Sequence, residues 1–188
     1  IYDSVGNPVT VKDKNGNITT NTYDELNRLK TVTDPRDNTS TYGYDEVSNR
    51  ISSKDPELNT TEYKYNPKDF LEEIIDPNSN STKYTLNNDG TRSSIEDANG
   101  NSSSFEYDSL KRTISSTDAK GQTTISEYDG EGNLLWIKDA EDNQTTYSYD
   151  EADRLTKQTF ADSGEKNFTY DLSGNPVQIT DPNGTIIT

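Results

Sequence analysis

Carboxylates dominate the chemistry this sequence could perform. Asp plus Glu number 34 in 188 residues, against 18 Lys plus Arg, and there is no His, Cys or Met. Without imidazole or thiol there can be no Ser-His-Asp triad, no Cys-His dyad, no thiolate metal site and no disulfide. What remains is oxygen chemistry. Asp34, Asp55, Asp76, Asp97, Asp118 and Asp139 recur every 21 residues, with Asp13 and Asp181 in the same register and Phe160 as the one break. A row of carboxylates beside Asn side chains and turn carbonyls is a ligand set for calcium, so these six are the candidate metal ligands. The same column reads equally as turn chemistry, because Asp opens a turn by accepting a backbone amide two residues on.

A second column is Asn17, Asn38, Asn59, Asn80, Asn101 and Asn143, each in an Asn-x-Ser/Thr motif, as are Asn167 and Asn183. These are candidate N-glycosylation sites. A turn Asn followed by strand Thr generates the motif without any glycan. Paired carboxylates for glycoside hydrolysis would have to stand apart from the repeat, and none does. The sequence therefore assigns no catalytic residue and calls for no cofactor. With a net charge of -16, the chain would repel duplex nucleic acid and anionic lipid. No apolar run has the length of a membrane span or a signal core. The absence of Met marks an excerpt of something longer.

The interval of 21 organises the whole chain. Tyr2, Tyr23, Tyr44, Tyr65, Tyr107, Tyr128, Tyr149 and Tyr170 share one column, with Leu86 in the vacant place, and Asp or Asn follows each. Two residues earlier stands a second aromatic at Tyr42, Tyr63, Tyr84, Phe105, Tyr147 and Phe168; nine residues later the column is mostly Val or Ile. Nine repeats result, at about 2–22, 23–43, 44–64, 65–85, 86–106, 107–127, 128–148, 149–169 and 170–188. Leu, Ile, Val and Phe number only 32 of 188, a fraction that with this charge suggests disorder. Strict register argues the other way, since only stacked units need it.

Each repeat reads as two short strands and two turns. The first strand is Thr-rich with alternating aromatics, as at 40–44 and 145–149. The second carries residues such as Leu134, Leu135, Trp136 and Ile137 and ends at the periodic Asp. Trp136, among apolar neighbours, is expected to pack into a core. The expected fold is all-β: two-stranded hairpins joined into a long antiparallel strip that curls or spirals. The alternative is a β-solenoid. In a solenoid the aspartates would stack about 4.8 Å apart, repelling by about 0.9 kcal/mol even in water. In a meander they lie twice as far apart, which favours the meander.

The segments Tyr23-Asp24-Glu25-Leu26-Asn27-Arg28-Leu29 and Tyr149-Asp150-Glu151-Ala152-Asp153-Arg154-Leu155 resemble the YDxxGRL core of the RHS or YD-repeat family. Tyr2-Asp3-Ser4-Val5-Gly6-Asn7 and Tyr170-Asp171-Leu172-Ser173-Gly174-Asn175 fit as well, and the resemblance covers the chain. That family includes Rhs polymorphic toxins, toxin-complex C components, wall-associated proteins and teneurins. The resemblance implies a β-hairpin strip spiralling into a hollow shell, a secreted or cell-surface location and a non-enzymatic role. Implied partners are neighbouring repeats or identical subunits continuing the sheet, an enclosed C-terminal toxin segment, or glycans. The unusual regularity of the register points equally to an extracellular fibre, and an adhesin or carbohydrate-binding module is the alternative function. Asp181-Pro182-Asn183-Gly184 looks like part of the family's autoproteolytic motif. Asp34-Pro35, Asp55-Pro56 and Asp76-Pro77 share its column, so it reads as an ordinary turn.

Overall fold

The structure, a computed structural model, describes residues 1–188. It divides into two compact units, Ile1–Asn101 and Ser102–Thr188. The first holds β1 (Thr10–Lys12), β2 (Ile18–Tyr23), β3 (Leu29–Thr33), β4 (Thr39–Tyr44), β5 (Arg50–Lys54), β6 (Thr60–Tyr65), β7 (Leu71–Ile75), β8 (Ser81–Leu86) and β9 (Arg92–Glu96). The second holds β10 (Ser102–Tyr107), β11 (Thr113–Thr117), β12 (Thr123–Tyr128), β13 (Leu134–Lys138), β14 (Gln144–Tyr149), β15 (Leu155–Thr159), β16 (Glu165–Tyr170), β17 (Pro176–Thr180) and β18 (Ile186–Ile187). There is no helix. Within each unit every strand pairs antiparallel with its sequence neighbour, for example Tyr63 opposite Ile74 and Phe168 opposite Ile179.

The antiparallel hairpin strip is thus the fold, and the β-solenoid is overturned. A solenoid stacks equivalent strands side by side in parallel, whereas here the other strand of the repeat always intervenes. The physical reason lies in the turns. Each is a tight reversal, which can join only antiparallel neighbours.

Within each unit, strands touch only the strands before and after them. The sheet is a single layer, and no residue in the chain is buried. The six-residue strands tend to alternate, and β2, β10 and β14 do so strictly. In β14, Gln144, Thr146 and Ser148 are exposed while Thr145, Tyr147 and Tyr149 are half-buried. One face therefore carries the tyrosine column, the second aromatic column and the Val/Ile column, because direct cross-strand partners share a face. The other face is laced by polar pairs such as Thr22 with Thr31 at 2.6 Å and Lys64 with Glu73 at 2.7 Å. Trp136 corrects the expectation of a packed core. The run from Leu134 to Ile137 alternates across a one-layer sheet, and Trp136 lies opposite Glu127 and Thr146 on the polar face, partly exposed.

All hairpins but one close the same way; the exception is 129–133, where the Gly132 amide donates to the Asp129 carboxylate at 2.8 Å instead of its carbonyl. In residues 24–28 the Asp24 amide donates to the Arg28 carbonyl at 2.9 Å, and the Asn27 amide donates back to the Asp24 carbonyl at 3.0 Å. The fourth residue is left-handed, with Asn27 at φ 61°. This is a type I turn followed by a left-handed residue. The repeat-tyrosine side of each hairpin adds a bulge: Thr22 faces Thr31 but Tyr23 faces Leu29, leaving Lys30 as the extra residue. Across the chain the left-handed position is glycine eight times and another residue ten times, so much of this strip holds left-handed backbone against steric preference.

Leu58, at φ 71° and 69 % exposed, has little packing to offset the cost of that conformation. Leu58→Gly is expected to stabilise the chain by about 1 kcal/mol, read as a higher melting temperature in a circular-dichroism melt; a lower one would contradict this account of the turns.

Candidate functional site

The side chains that do the structural work sit in the turns. Asp34 Oδ1 accepts the amides of Arg36 and Asn38 at 2.7 and 2.9 Å, and its Oδ2 accepts Asn38 Nδ2 at 2.9 Å. Asp76 and Asp97 repeat this with Asn78 and Asn80, and with Asn99 and Asn101. Asp139 does so with Glu141 and Asn143, Asp55 accepts both groups of Asn59, and Asp118 accepts the amides of Lys120 and Gln122. Each of the six calcium candidates thus accepts hydrogen bonds within its own turn, through both carboxylate oxygens in all but Asp118. In the asparagine column, Nδ2 of Asn17, Asn38, Asn59, Asn80, Asn101 and Asn143 donates to the turn aspartate at 2.7–2.9 Å. This is the nitrogen that a glycan would need.

These contacts govern ionisation. The Asn side-chain amide, then the Asn backbone amide, holds Asp13, Asp34, Asp76, Asp97 and Asp171 below the ordinary carboxylate range. At Asp24 the leading cause is the backbone amide of Arg28. At Asp45 and Asp129 partial desolvation pushes upward most strongly, and the hydrogen bonds from Asn49 and Asn133 together with those from the other turn amides outweigh it.

The turns after the repeat tyrosines also reach into the next hairpin. Their last residue is the link. Asn7, Asn49 and Asn133 donate through Nδ2 to Asn27, Asp69 and Asp153 at 3.1, 3.0 and 2.8 Å. Arg28 and Arg112 bond their own aspartates through Nε at 2.7 and 2.6 Å and donate through a terminal nitrogen to the carbonyls of Asp45 and Asp129 at 2.7 and 2.8 Å. Their guanidinium groups lie 4.8 and 4.7 Å from the rings of Tyr44 and Tyr128, and Arg154 sits at 4.9 Å from Tyr170. Phe70 makes the link by contact, its ring lying where a side chain on Gly90 would stand.

The tyrosine column completes the tie. Tyr23, Tyr44, Tyr65, Tyr149 and Tyr170 donate their hydroxyls to the carbonyls of Pro8, Leu29, Arg50, Leu134 and Leu155 in the preceding hairpin, at 2.9–3.2 Å. Tyr107 and Tyr128 end β10 and β12 in the same column, and Tyr2, 70 % exposed, forms a lone bridge with Pro8. The linking residues Asn7, Arg28, Asn49, Arg112, Asn133 and Arg154 are not recognisable from residue type alone. Their signal is position: all stand four residues after the turn aspartate. The arrangement joins hairpin to hairpin.

Two measurements check this geometry. Tyr149→Phe keeps the ring and removes the hydroxyl, and is expected to cost about 0.5–1.5 kcal/mol in urea unfolding; no loss would mean the tie carries nothing. The lowered aspartates fix the acid response. Their contribution is fully present above the unfolded value, about 3.9, and is lost as pH falls through the lower folded values. Melting temperature should therefore hold from pH 7 to about 5 and drop below about 4; a chain equally stable at pH 2 would refute the linkage.

The comparisons with known proteins agree with this architecture. The family profile described as RHS Repeat matches residues 2–39, 23–60, 107–137 and 128–165. No curated protein matches the chain significantly. Among solved structures, the Photorhabdus luminescens Tc holotoxin pore carrying the TccC3-D651A mutation aligns with a TM-score of 0.67 at 18 % identity, over 96 % of this chain and 12 % of that one. TcdB2-TccC3 without its hypervariable C-terminal region gives the same four values. The TcdB2-TccC3-Cdc42 structure gives a TM-score of 0.57 at 18 % identity, over 94 % of this chain and 12 % of that one. The chain thus spans about an eighth of the chains it matches, and at this identity the likeness is one of fold. With the family profile covering more than half of its length and its hairpins joined turn to turn, the chain belongs to the RHS-repeat family.

Proposed function

We propose that this structural repeat module is a length of wall in a hollow shell that encloses a toxin segment, within a larger secreted or cell-surface protein. The nine 21-residue repeats are the wall's courses, and neighbouring repeats continue them. The observation that carries this reading is the single-layer sheet without a buried residue, tied from hairpin to hairpin along its turns. Such a sheet separates two spaces and packs no interior of its own. Fold similarity to toxin-complex structures supports the choice of a shell over a fibre.

The chain's own chemistry is structural in this reading. Its carboxylates close turns rather than act as acids, bases or metal ligands, and its turn asparagines are hydrogen-bond donors rather than glycan carriers. No helix is long and apolar enough to cross a membrane. The net charge of -16 suits a wall that must stay soluble and avoid lateral association.

Cryo-electron microscopy of the full-length parent protein tests the proposal. A closed particle with density inside its wall is expected. A continuous filament, or a closed particle with no enclosed density, would overturn it.

A further inference from the structure

The polar face of the second unit departs from the repeat at one place. Two columns that project there can be compared repeat by repeat. Three residues before the repeat tyrosine, seven of eight positions hold Thr, Glu, Lys, Ser or Asn, and the eighth is Ile125. Eight residues after it, eight of nine hold Thr, Ser, Glu, Lys or Gln, and the ninth is Trp136. Both exceptions fall on one spot. Ile125 faces Lys138 and Trp136 faces Glu127 across β12 and β13, which makes the two exceptions diagonal neighbours.

Folding does not call for either residue. The other repeats close the same hairpin with polar side chains at both positions, and Ile125 remains 37 % exposed. Around the pair lies a shallow concavity lined by Glu106, Ile114, Ser115, Ile125, Glu127 and Trp136. Glu127 accepts the Trp136 indole N–H at 2.7 Å, in the cross-strand position where Lys64 and Glu73 pair elsewhere. That bond fixes the ring. The nearby cations are engaged: Lys138 bonds Asp142 at 2.8 Å and Arg112 bonds Asp108 at 2.6 Å. The spot therefore combines a held indole, two isoleucines and an excess of negative charge.

We propose that this spot docks a basic, apolar protein segment. A Lys or Arg side chain of the segment sits on the indole of Trp136 between Glu106 and Glu127, and an adjacent aliphatic side chain covers Ile114 and Ile125. Cations favour the face of an indole above other rings, and the chain makes the same kind of contact internally where Arg28 lies over Tyr44. Charge selects the occupant. A second copy of the chain would bring another -16 to an acidic surface. A sugar gains nothing from the negative excess that a cation meets there. The inference is independent of the shell reading, since it concerns one face of a few strands.

Trp136 is the only tryptophan, so its emission reports the site directly. The chain is titrated with the peptide acetyl-Leu-Arg-Leu-Arg-Leu-amide, with the same peptide carrying Glu for Arg, and with a chitin oligosaccharide. A saturable emission change is expected with the Arg peptide alone, weakening about tenfold or more as salt rises from about 50 mM to about 500 mM. Ile125→Thr and Glu106→Gln are each expected to weaken it about fivefold or more with an unchanged circular-dichroism spectrum. Trp136→Thr, followed by calorimetry, should abolish it. Thr is the residue that other repeats carry at both sites, so these variants should fold. No saturable change with the Arg peptide overturns the proposal. So does an equal response to the Glu peptide or the oligosaccharide, an emission change driven by protein concentration alone, or affinity within about twofold in both Ile125→Thr and Glu106→Gln.

Discussion

The closure of each hairpin turn is the constraint on which the rest depends. A chain with no buried residue cannot take its register from a hydrophobic core. The register comes instead from a five-residue turn: two backbone hydrogen bonds, a left-handed fourth residue and, in most turns, an aspartate that gathers two amides and a side chain. The backbone part is the essential one. At Phe160 the aspartate is missing, yet its amide still donates to the Gly164 carbonyl at 2.9 Å and Ser163 still closes back at 2.9 Å. The carboxylate reinforces a turn that main-chain geometry already defines, and 15 of the chain's 34 carboxylates stand at this turn-opening position.

Closed hairpins would still be marginal alone. What joins them is asymmetric. The turns that follow the repeat tyrosines pass a side chain to the next hairpin, by amide, guanidinium or ring, while the tyrosine hydroxyl reaches to the previous one. Asn, Arg and Phe fill the same position because the task is reach, not one chemical type. In the other turns Asp and Asn satisfy each other locally. The two faces differ as well, one aromatic and half-covered, the other laced by Thr–Thr and Lys–Glu pairs. The two edges and the two faces of the sheet therefore differ in chemistry.

The same regularity makes departures informative. In a repeat array, each column shows what folding alone requires at that position. Trp136 and Ile125 exceed that requirement on the polar face, whereas Leu86 in place of a repeat tyrosine merely drops one hydroxyl tie. A substitution that adds exposed apolar surface has a different meaning from one that subtracts a hydrogen bond.

The amino-acid sequence alone determined the repeat length, the strand content, the turn sites and the membership of the tyrosine, aromatic and aspartate columns. It did so because these depend on local backbone preference and on period, which are written residue by residue. Antiparallel pairing was also favoured over a solenoid, through the repulsion of a stacked aspartate row. Three things needed the tertiary structure. The links from Asn7, Arg28 and Asn49 to the next hairpin depend on which turns become neighbours about 10 Å apart. The left-handed residues at Leu58 and Lys111 give no compositional sign, because neither type favours that conformation and the hairpin imposes it. The place of Trp136 depends on the number of layers. An apolar run signals burial only where a second layer exists to bury it, and this sheet has none.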